Sequence, residues 1–189
     1  MKKGLLIVYS GLSGVGKGTI LKELMPMEDL NLAYSVSMTT RAPREGEVDG
    51  VNYFFVSKQE FLQAVKEGKL LEHARFVDND YGTPRDYVEK MRNEGKNVLL
   101  EIEIRGAKQV IEKCPDALSI YIVPPSMEEL ERRIRERGTE DEETILKRMS
   151  KARQEVKEVD MYKHVVCNDD LAKAVEDVRN IILEEMNKE

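Results

Sequence analysis

Short apolar runs alternate with helix-like segments along much of the chain. Three of these runs are nearly continuous: LLIVYS (5–10), NVLLEIEI (97–104) and ALSIYIV (117–123). Apolar runs of this length are typical of strands buried on both faces. Helix-like segments follow each run, beginning with TILKELM (19–25). Strands that alternate with helices predict an α/β fold in which a parallel sheet is covered by helices.

The pattern changes in the middle of the chain, between residues 33 and 77. Shorter strand-like runs, VNYFFV (51–56) and LLEHARFV (70–77), lie on either side of a predicted helix. The stretch SKQE (57–60) has the pattern of a capping box and predicts the start of that helix. Pro84 is predicted at the first position of another helix. This part of the sequence therefore predicts a small α+β insert between core strands.

A charged, helical pattern occupies residues 126 to about 160. The stretch SMEE predicts the start of one helix, Gly138 predicts its end, and TEDE predicts the start of the next. Arg133 and Arg137 stand four residues apart and share one face of the first helix. On the residue pattern alone, such a charged face is more often solvated than functional. A short strand, KHVVCN (163–168), and an amphipathic helix follow.

Composition narrows the classes of function. The 189 residues, 41% of them hydrophobic, suffice for one core with a smaller lobe. The net charge of −6 argues against non-specific binding of nucleic acid. Cys114 and Cys167 are far apart, which predicts free thiols and a cytoplasmic protein. The apolar run near the N-terminus is too short for a signal peptide or a membrane span, so no membrane partner is expected.

The stretch GLSGVGKGT (11–19) has the spacing of a phosphate-binding glycine loop between a strand and a helix. In such a loop, backbone N–H groups converge on phosphate oxygens and the lysine, here Lys17, reaches the outer phosphates. The alternative, a glycine-rich turn without a ligand, does not require the full spacing in this context. Gly18 stands where a serine or threonine hydroxyl ordinarily binds Mg²⁺, and Thr19 follows it.

Two carboxylates occur at the end of the run LLEIEI. Glu101 and Glu103 are two residues apart, so they are predicted to share one face of a strand. The carboxyl ends of strands are where α/β sheets bind ligands. One of these acids is therefore expected to hold Mg²⁺ through water. The alternative is a strand end at which both acids are simply solvated.

Two arginines, Arg41 and Arg44, stand three residues apart in SVSMTTRAPREGEVDGVNYFF (35–55), near hydroxyl groups. Guanidinium groups suit a dianionic phosphate. On the residues alone, an ordinary surface loop explains this stretch as well as a phosphate site does.

Together these motifs resemble the guanylate kinase family over nearly the whole chain. The resemblance rests on the glycine loop, on SVSMTTRAPREGEVDGVNYFF, and on YGTP, LLEIEIRGAKQV, YIVPPS, ERGTEDEETILKRM and VVCNDD. It implies a P-loop core formed by residues 1–32, 94–125 and 151–189. It also implies a GMP-binding lobe over residues 33–93 and a helical lid over residues 126–150.

The resemblance also implies roles for individual residues. The implied GMP-binding residues are Ser37, Arg41, Arg44, Tyr53, Glu72, Tyr81, Thr83 and Glu103. The implied ATP-binding residues are Gly11, Ser13, Gly14, Val15, Gly16, Lys17, Gly18, Thr19 and Asn168. The implied catalytic residues are Lys17, Arg41, Arg133, Arg137 and Arg148. Glu101 would hold Mg²⁺ through water. The chain departs from the family pattern at Leu12, where proline is common, at Glu101 and Glu103, where aspartate is common, and at Gly18.

The activity implied by the resemblance is ATP-dependent phosphorylation of GMP, and of dGMP, with Mg²⁺. Such a reaction needs no strong base, because the acceptor phosphate is already an anion. A kinase for another monophosphate such as AMP is the alternative within enzymes. A peptide-binding scaffold without catalysis is the alternative outside them, and the intact glycine loop argues against it. The sequence leaves monomer and homodimer open.

Overall fold

A computed structural model describes residues 2–76 and 78–188. The chain forms two compact units. The first extends as far as Val8 and includes Asn31–Ala117, and the second contains Tyr9–Leu30 and the described chain from Leu118 onward. Among the described residues, none of the helices combines the length and the apolar character needed to cross a membrane.

The order of elements along the described chain follows the alternation that the sequence predicts. The strands are β1 (Leu6–Gly11), β2 (Leu32–Tyr34), β3 (Ser37–Thr39), β4 (Tyr53–Phe55), β5 (Leu70–Phe76), β6 (Asn79–Pro84), β7 (Asn97–Glu101), β8 (Leu118–Val123) and β9 (His164–Cys167). The α-helices are α1 (Lys17–Leu24), α2 (Lys58–Lys66), α3 (Arg85–Asn93), α4 (Ile104–Lys113), α5 (Met127–Glu136), α6 (Glu142–Glu155) and α7 (Leu171–Met186).

The first unit contains two sheets. In one of them, β2 pairs in parallel with β7, and β7 is next to β1, whose residues as far as Val8 belong to this unit. The other sheet has the order β4-β3-β6-β5, in which β3 is parallel to β4 and antiparallel to β6. Helix α2 packs on this second sheet. Its residues Phe61 and Ala64 form a buried cluster with Leu70 of β5. Strand β5 accounts for the predicted run 70–77, except that Val77 lies outside the described residues.

The second unit contains the rest of β1, from Tyr9 onward, together with β8 and β9. Strand β8 lies next to β1 and pairs in parallel with β9. Strand β8 is buried along nearly its whole length because helices pack against it, α7 among them. Helix α7 also packs on α1, and α5 packs on α6. The predicted fold class, a parallel sheet covered by helices, is confirmed.

Local signals in the sequence set several of the helix ends. Ser57 and Glu60 form the predicted capping box at the start of α2, with bonds of 3.2 Å from Glu60 N–H to Ser57 Oγ and 2.7 Å from Ser57 N–H to Glu60 Oε2. Ser126 caps α5 through a 3.0 Å bond from the Glu129 N–H. Gly138 follows α5 with a φ of 63°. The prediction for Pro84 is off by one residue, because Pro84 is extended and is the N-cap of α3.

One prediction about the strands is wrong. Strand β7 ends at Glu101, and Glu103 is the extended N-cap residue of α4, with φ −74° and ψ 164°. The two carboxylates therefore do not share one face of a strand. The reason is that α4 begins at Ile104, and its buried residues Gly106, Ala107 and Val110 follow helical spacing rather than alternation.

Candidate nucleotide-binding sites

The glycine loop of the second unit joins the end of β1 to the start of α1. Gly14 and Gly16 have φ values of 87° and 98°, a region that suits glycine. A Cβ on Gly14 would lie 2.9 Å from the Ile134 side chain, so a larger residue would also collide there. Gly16 is the N-cap of α1 and contributes no side-chain cap. The first N–H groups of a helix lack acceptors within the helix, so this end of α1 suits an anion.

The ammonium group of Lys17 is held against the same loop. Its Nζ donates to the carbonyl oxygens of Gly11 at 2.8 Å and of Leu12 at 3.1 Å. The backbone carbonyl of Lys17 accepts a 3.2 Å bond from the Tyr9 hydroxyl. The positive charge is therefore fixed beside the N-terminus of α1, where phosphate oxygens are expected. Ser13, Gly18 and Thr19 are exposed.

Asn168 links the glycine loop to the segment after β9 and to α5. Its side-chain Nδ2 donates to the Val15 carbonyl at 2.8 Å, and its backbone carbonyl accepts a 2.8 Å bond from Arg133 Nη1. The residue is 7% exposed. A Cβ on Gly16 would lie 2.6 Å from Asn168 Nδ2, so the close approach needs a glycine in the loop. Asn168 therefore positions both the loop and an arginine of the predicted lid.

A cavity of about 400 Å³ opens beside the loop in the second unit, within the size range of small-molecule sites. Its lining includes the predicted residues Gly14, Val15, Gly16, Thr19, Arg133, Arg137 and Asn168. Sequence reasoning missed three further lining residues: Glu136, Asp169 and Leu171. Glu136 is adjacent to Arg137 and Asp169 to Asn168, so proximity in the sequence was the available signal.

The three predicted lid arginines differ in their position relative to the cavity. Arg133 and Arg137 line the cavity, and Arg133 Nε also bonds to Glu129 Oε1 at 2.8 Å. Arg148 lies in α6, where its Nη2 is 2.9 Å from Glu140 Oε1, and it is not part of the cavity lining. The geometry thus brings two of these arginines to the glycine loop.

In the first unit, Arg41 lies within a cluster of aromatic rings. Its guanidinium carbon is 5.3 Å from the centroid of Tyr53 and 5.9 Å from that of Phe55, which is within cation–π range. The rings of Tyr53 and Tyr81 are 6.0 Å apart. Ser37 faces Tyr53 across the β3–β4 pair. Arg41, Tyr53 and Tyr81, predicted from distant parts of the sequence, therefore lie together.

Arg41 already has an anionic partner within the same loop. Glu47 accepts bonds from Arg41 Nη1 at 3.0 Å and Nη2 at 2.8 Å. The same carboxylate accepts the backbone N–H of Arg44 at 2.7 Å. Glu47 escaped sequence reasoning, since nothing in its spacing distinguishes it from Glu45. Arg44 itself is exposed.

The predicted carboxylate Glu72 is buried in β5 with 5% exposure. The Thr83 hydroxyl donates to its Oε1 at 2.6 Å. A Cβ on Gly106, in the first turn of α4, would collide with the Glu72 carboxylate. Burial raises the pKa of Glu72 above its ordinary value, whereas the Thr83 bond and the charge of Lys113 lower it.

Glu101, which ends β7, and Glu103, which precedes α4, have different surroundings. Glu101 is half-buried, and its Oε2 accepts a 2.9 Å bond from the Tyr34 hydroxyl. Burial raises the pKa of Tyr34, and the neighbouring Glu101 carboxylate raises it further. Glu103 is exposed at the start of α4, three residues before Gly106. Glu103 and Glu72 therefore both lie beside the first turn of α4.

The chain is similar to known guanylate kinases over nearly its whole length. The family model described as guanylate kinase matches residues 3–185. A guanylate kinase of Oceanobacillus iheyensis is 51% identical over 184 residues, which is 97% of this chain and 89% of that protein. A guanylate kinase of Mesoplasma florum is 54% identical over 183 residues, and the chain spans 62% of its length. A guanylate kinase structure from Anaplasma phagocytophilum has a TM-score of 0.74 and 34% identity, covering 99% of this chain and 88% of that one.

Proposed function

Because the chain belongs to the guanylate kinase family, we propose that it transfers the γ-phosphoryl group of ATP to GMP, and also to dGMP. The observation that carries this proposal is the arrangement of Tyr81 and Thr83 on β6. The two residues are two apart, so they share a face of the strand, roughly 7 Å from each other. Thr83 bonds to the buried Glu72, and Tyr81 contacts the ring of Tyr53 beside Arg41.

This face combines groups that suit the two ends of GMP. Guanine offers two neighbouring donors, N1–H and the 2-amino group, and an ionised carboxylate only accepts hydrogen bonds. Glu72, with Glu103 on the same side of α4, would accept from the base. Arg41, Arg44, Tyr53 and Tyr81 would bind the phosphate, with Ser37 beside them.

In the second unit the residues around the glycine loop would bind ATP. The N-terminus of α1 and Lys17 would hold the outer phosphates, and Arg133 and Arg137 would neutralise the charge that develops on the transferred group. An oxygen of the GMP phosphate forms a bond to the γ-phosphorus while the bond from that phosphorus to the β–γ bridging oxygen breaks. The products are GDP and ADP. Positioning and charge neutralisation supply the catalysis, since the nucleophile is already anionic.

Magnesium fits the residues present only as an ion bound mainly by the nucleotide. Within residues 2–76 and 78–188 no group of three or more His, Cys, Asp or Glu side chains is placed to hold a metal. Mg²⁺ commonly keeps several waters and takes one or two carboxylates in addition to substrate phosphates. Glu101 would accept hydrogen bonds from those waters. The ion would neutralise phosphate charge when bound.

The Mg²⁺ requirement gives a direct test of Glu101 and Gly18. We expect Glu101→Gln to raise the Mg²⁺ concentration for half-maximal rate by about tenfold, the effect typical of losing an outer-shell partner. Gly18→Ser should fold normally, because a Cβ at Gly18 has no heavy atom within 4 Å beyond its neighbours, and it should lower that concentration. Magnesium titrations at fixed ATP measure both, with Glu112→Gln, on the exposed side of α4, as the control. If neither variant changed the Mg²⁺ concentration for half-maximal rate, the proposed way in which the metal is held would be contradicted.

The pH dependence of guanosine binding tests Glu72 without interference from the phosphate, whose own pKa is about 6. Only the ionised carboxylate accepts from both guanine donors, so affinity should fall as the pH falls through the pKa of Glu72. Because burial raises that pKa, the midpoint should lie above the ordinary value of 4.5. Thr83→Val removes a hydrogen bond that lowers the pKa and should move the midpoint upward.

Calorimetric titrations at a series of pH values give this midpoint. Thr83→Ser keeps the hydroxyl and is the matched control. An affinity that stays constant down to pH 4.5, or a midpoint that Thr83→Val moves downward, would exclude Glu72 as the acceptor for guanine.

The activity itself is tested by a coupled assay of ADP release with GMP, dGMP, AMP, CMP and UMP. We expect GMP and dGMP to give the highest kcat/KM. A preference for AMP would instead make the chain an adenylate-type kinase.

We also propose that the enzyme acts in the cytoplasm, in purine nucleotide metabolism. Cys114 and Cys167, which are not joined in a disulfide, support that location.

A further inference from the structure

The ion pair between Arg41 and Glu47 has a geometry that divides the guanidinium into two edges. Glu47 binds end-on, with one oxygen on Nη1 and the other on Nη2. The second Nη1 proton is directed to the Ala42 carbonyl at 2.9 Å. Of the five N–H donors of an arginine, these bonds use three. The remaining two, on Nε and Nη2, point along the same edge of the group.

That remaining edge is the one a phosphate would use. Two parallel N–H donors match two oxygens of a phosphate. The Tyr81 hydroxyl also lies within hydrogen-bonding reach of the guanidinium, and the Tyr53 ring lies beneath it. Glu47 thus occupies the end-on edge, formed by Nη1 and Nη2. The side edge, formed by Nε and Nη2, is directed into the cluster proposed for the GMP phosphate.

The position of Glu47 is itself fixed. Its Oε2 accepts the Arg44 N–H at 2.7 Å in addition to its bond with Arg41. The side chains of Arg41 and Glu47 are only 14% and 19% exposed. A carboxylate bound to the backbone of its own loop is poorly placed to leave when an anion arrives.

We propose that Glu47 is a positioning residue that stays bound to Arg41 and aims its side edge at the phosphate of the nucleotide acceptor. This inference rests on the proposed function, in which Arg41 binds that phosphate. The alternative is that Glu47 competes with the phosphate for Arg41 and is displaced by it. The two roles predict effects of opposite sign when the charge of Glu47 is removed.

The experiment is calorimetric titration of GMP and of guanosine into the wild-type protein and into Glu47→Gln. Guanosine has the base and the sugar but no phosphate. We expect the Kd for GMP to rise about tenfold in the variant, since the charge-assisted pair that orients Arg41 is weakened. The Kd for guanosine should stay within about twofold of the wild-type value, because the base contacts at Glu72 are intact.

Glu45→Gln is the matched control, because it removes the same charge from an exposed position in the same loop. It should leave both affinities unchanged. A GMP affinity that is unchanged or tighter in Glu47→Gln would overturn the positioning role, as would an equal loss for GMP and guanosine. A wild-type protein that binds guanosine and GMP equally well would instead refute Arg41 as the phosphate ligand, and with it the proposed function of this cluster.

Discussion

Replacing Lys17 with alanine is expected to lower the turnover number for GMP phosphorylation by about 10²–10³-fold, the usual effect of removing one preorganised electrostatic contact. Lys17 is the first residue of α1, and its ammonium is bonded to two carbonyls of the glycine loop. The charge is therefore in place before the phosphoryl group moves. Without it, the charge that develops on that group loses a fixed partner.

The measurement is kcat at saturating ATP and GMP, with thermal unfolding of both proteins to show that the fold is retained. Lys22→Ala is the control, because it removes an equal charge from the exposed last turn of the same helix. Its kcat should match that of the wild type. Near-normal turnover in Lys17→Ala would remove this residue from the mechanism.

Replacing Glu72 with glutamine is expected to lower kcat/KM for GMP by about 5–150-fold, which corresponds to 1–3 kcal/mol for one unsatisfied buried group. Glutamine has nearly the same shape, but one of its terminal atoms is a donor that would face the donors of guanine in the proposed site. AMP has an unprotonated N1 and no 2-amino group, so kcat/KM for AMP should change little. The variant should therefore lose most of its preference for GMP.

Steady-state kinetics with GMP and AMP give this ratio for Glu72→Gln, Glu103→Gln and the double variant. If the two acids act independently, the single effects multiply, and the double variant should lose discrimination by about 25-fold to 2 × 10⁴-fold. Glu112→Gln, in α4 but exposed, should retain it. Retention of the full GMP preference by both single variants would show that these carboxylates do not read the base.

The parts of the molecule that sequence reasoning predicted are those governed by local rules. The glycine loop follows from glycines at fixed spacing between an apolar run and a helix, and the capping residues Ser57 and Ser126 stand at helix starts. Each of these signals depends on residues a few positions apart. The fold class follows from them, because strands that alternate with helices have few ways to pack.

Other parts of the molecule depend on contacts between distant residues or on competing local patterns, which local rules do not capture. The run LLEIEI alternates like a strand, yet its second half yields to the helical spacing that starts at Ile104. Asn168 bonds to Val15, which is 153 positions away, so its role beside the glycine loop has no local signal. Arg148 belongs to the same charged, helical stretch as Arg133, but it is paired with Glu140 and does not line the cavity.

The contact between Gly106 and the Glu72 carboxylate has a consequence for how this site can change. The backbone of Gly106 does not require a glycine, because its φ is not in the left-handed region. A side chain at position 106 is excluded by Glu72, because the three heavy atoms nearest to a Cβ at Gly106 all belong to that residue. Positions 72 and 106 therefore share one fixed volume, and a gain at one must be matched by a loss at the other. Among homologues, or in a library selected for another base, alanine at position 106 should covary with a shorter residue at position 72.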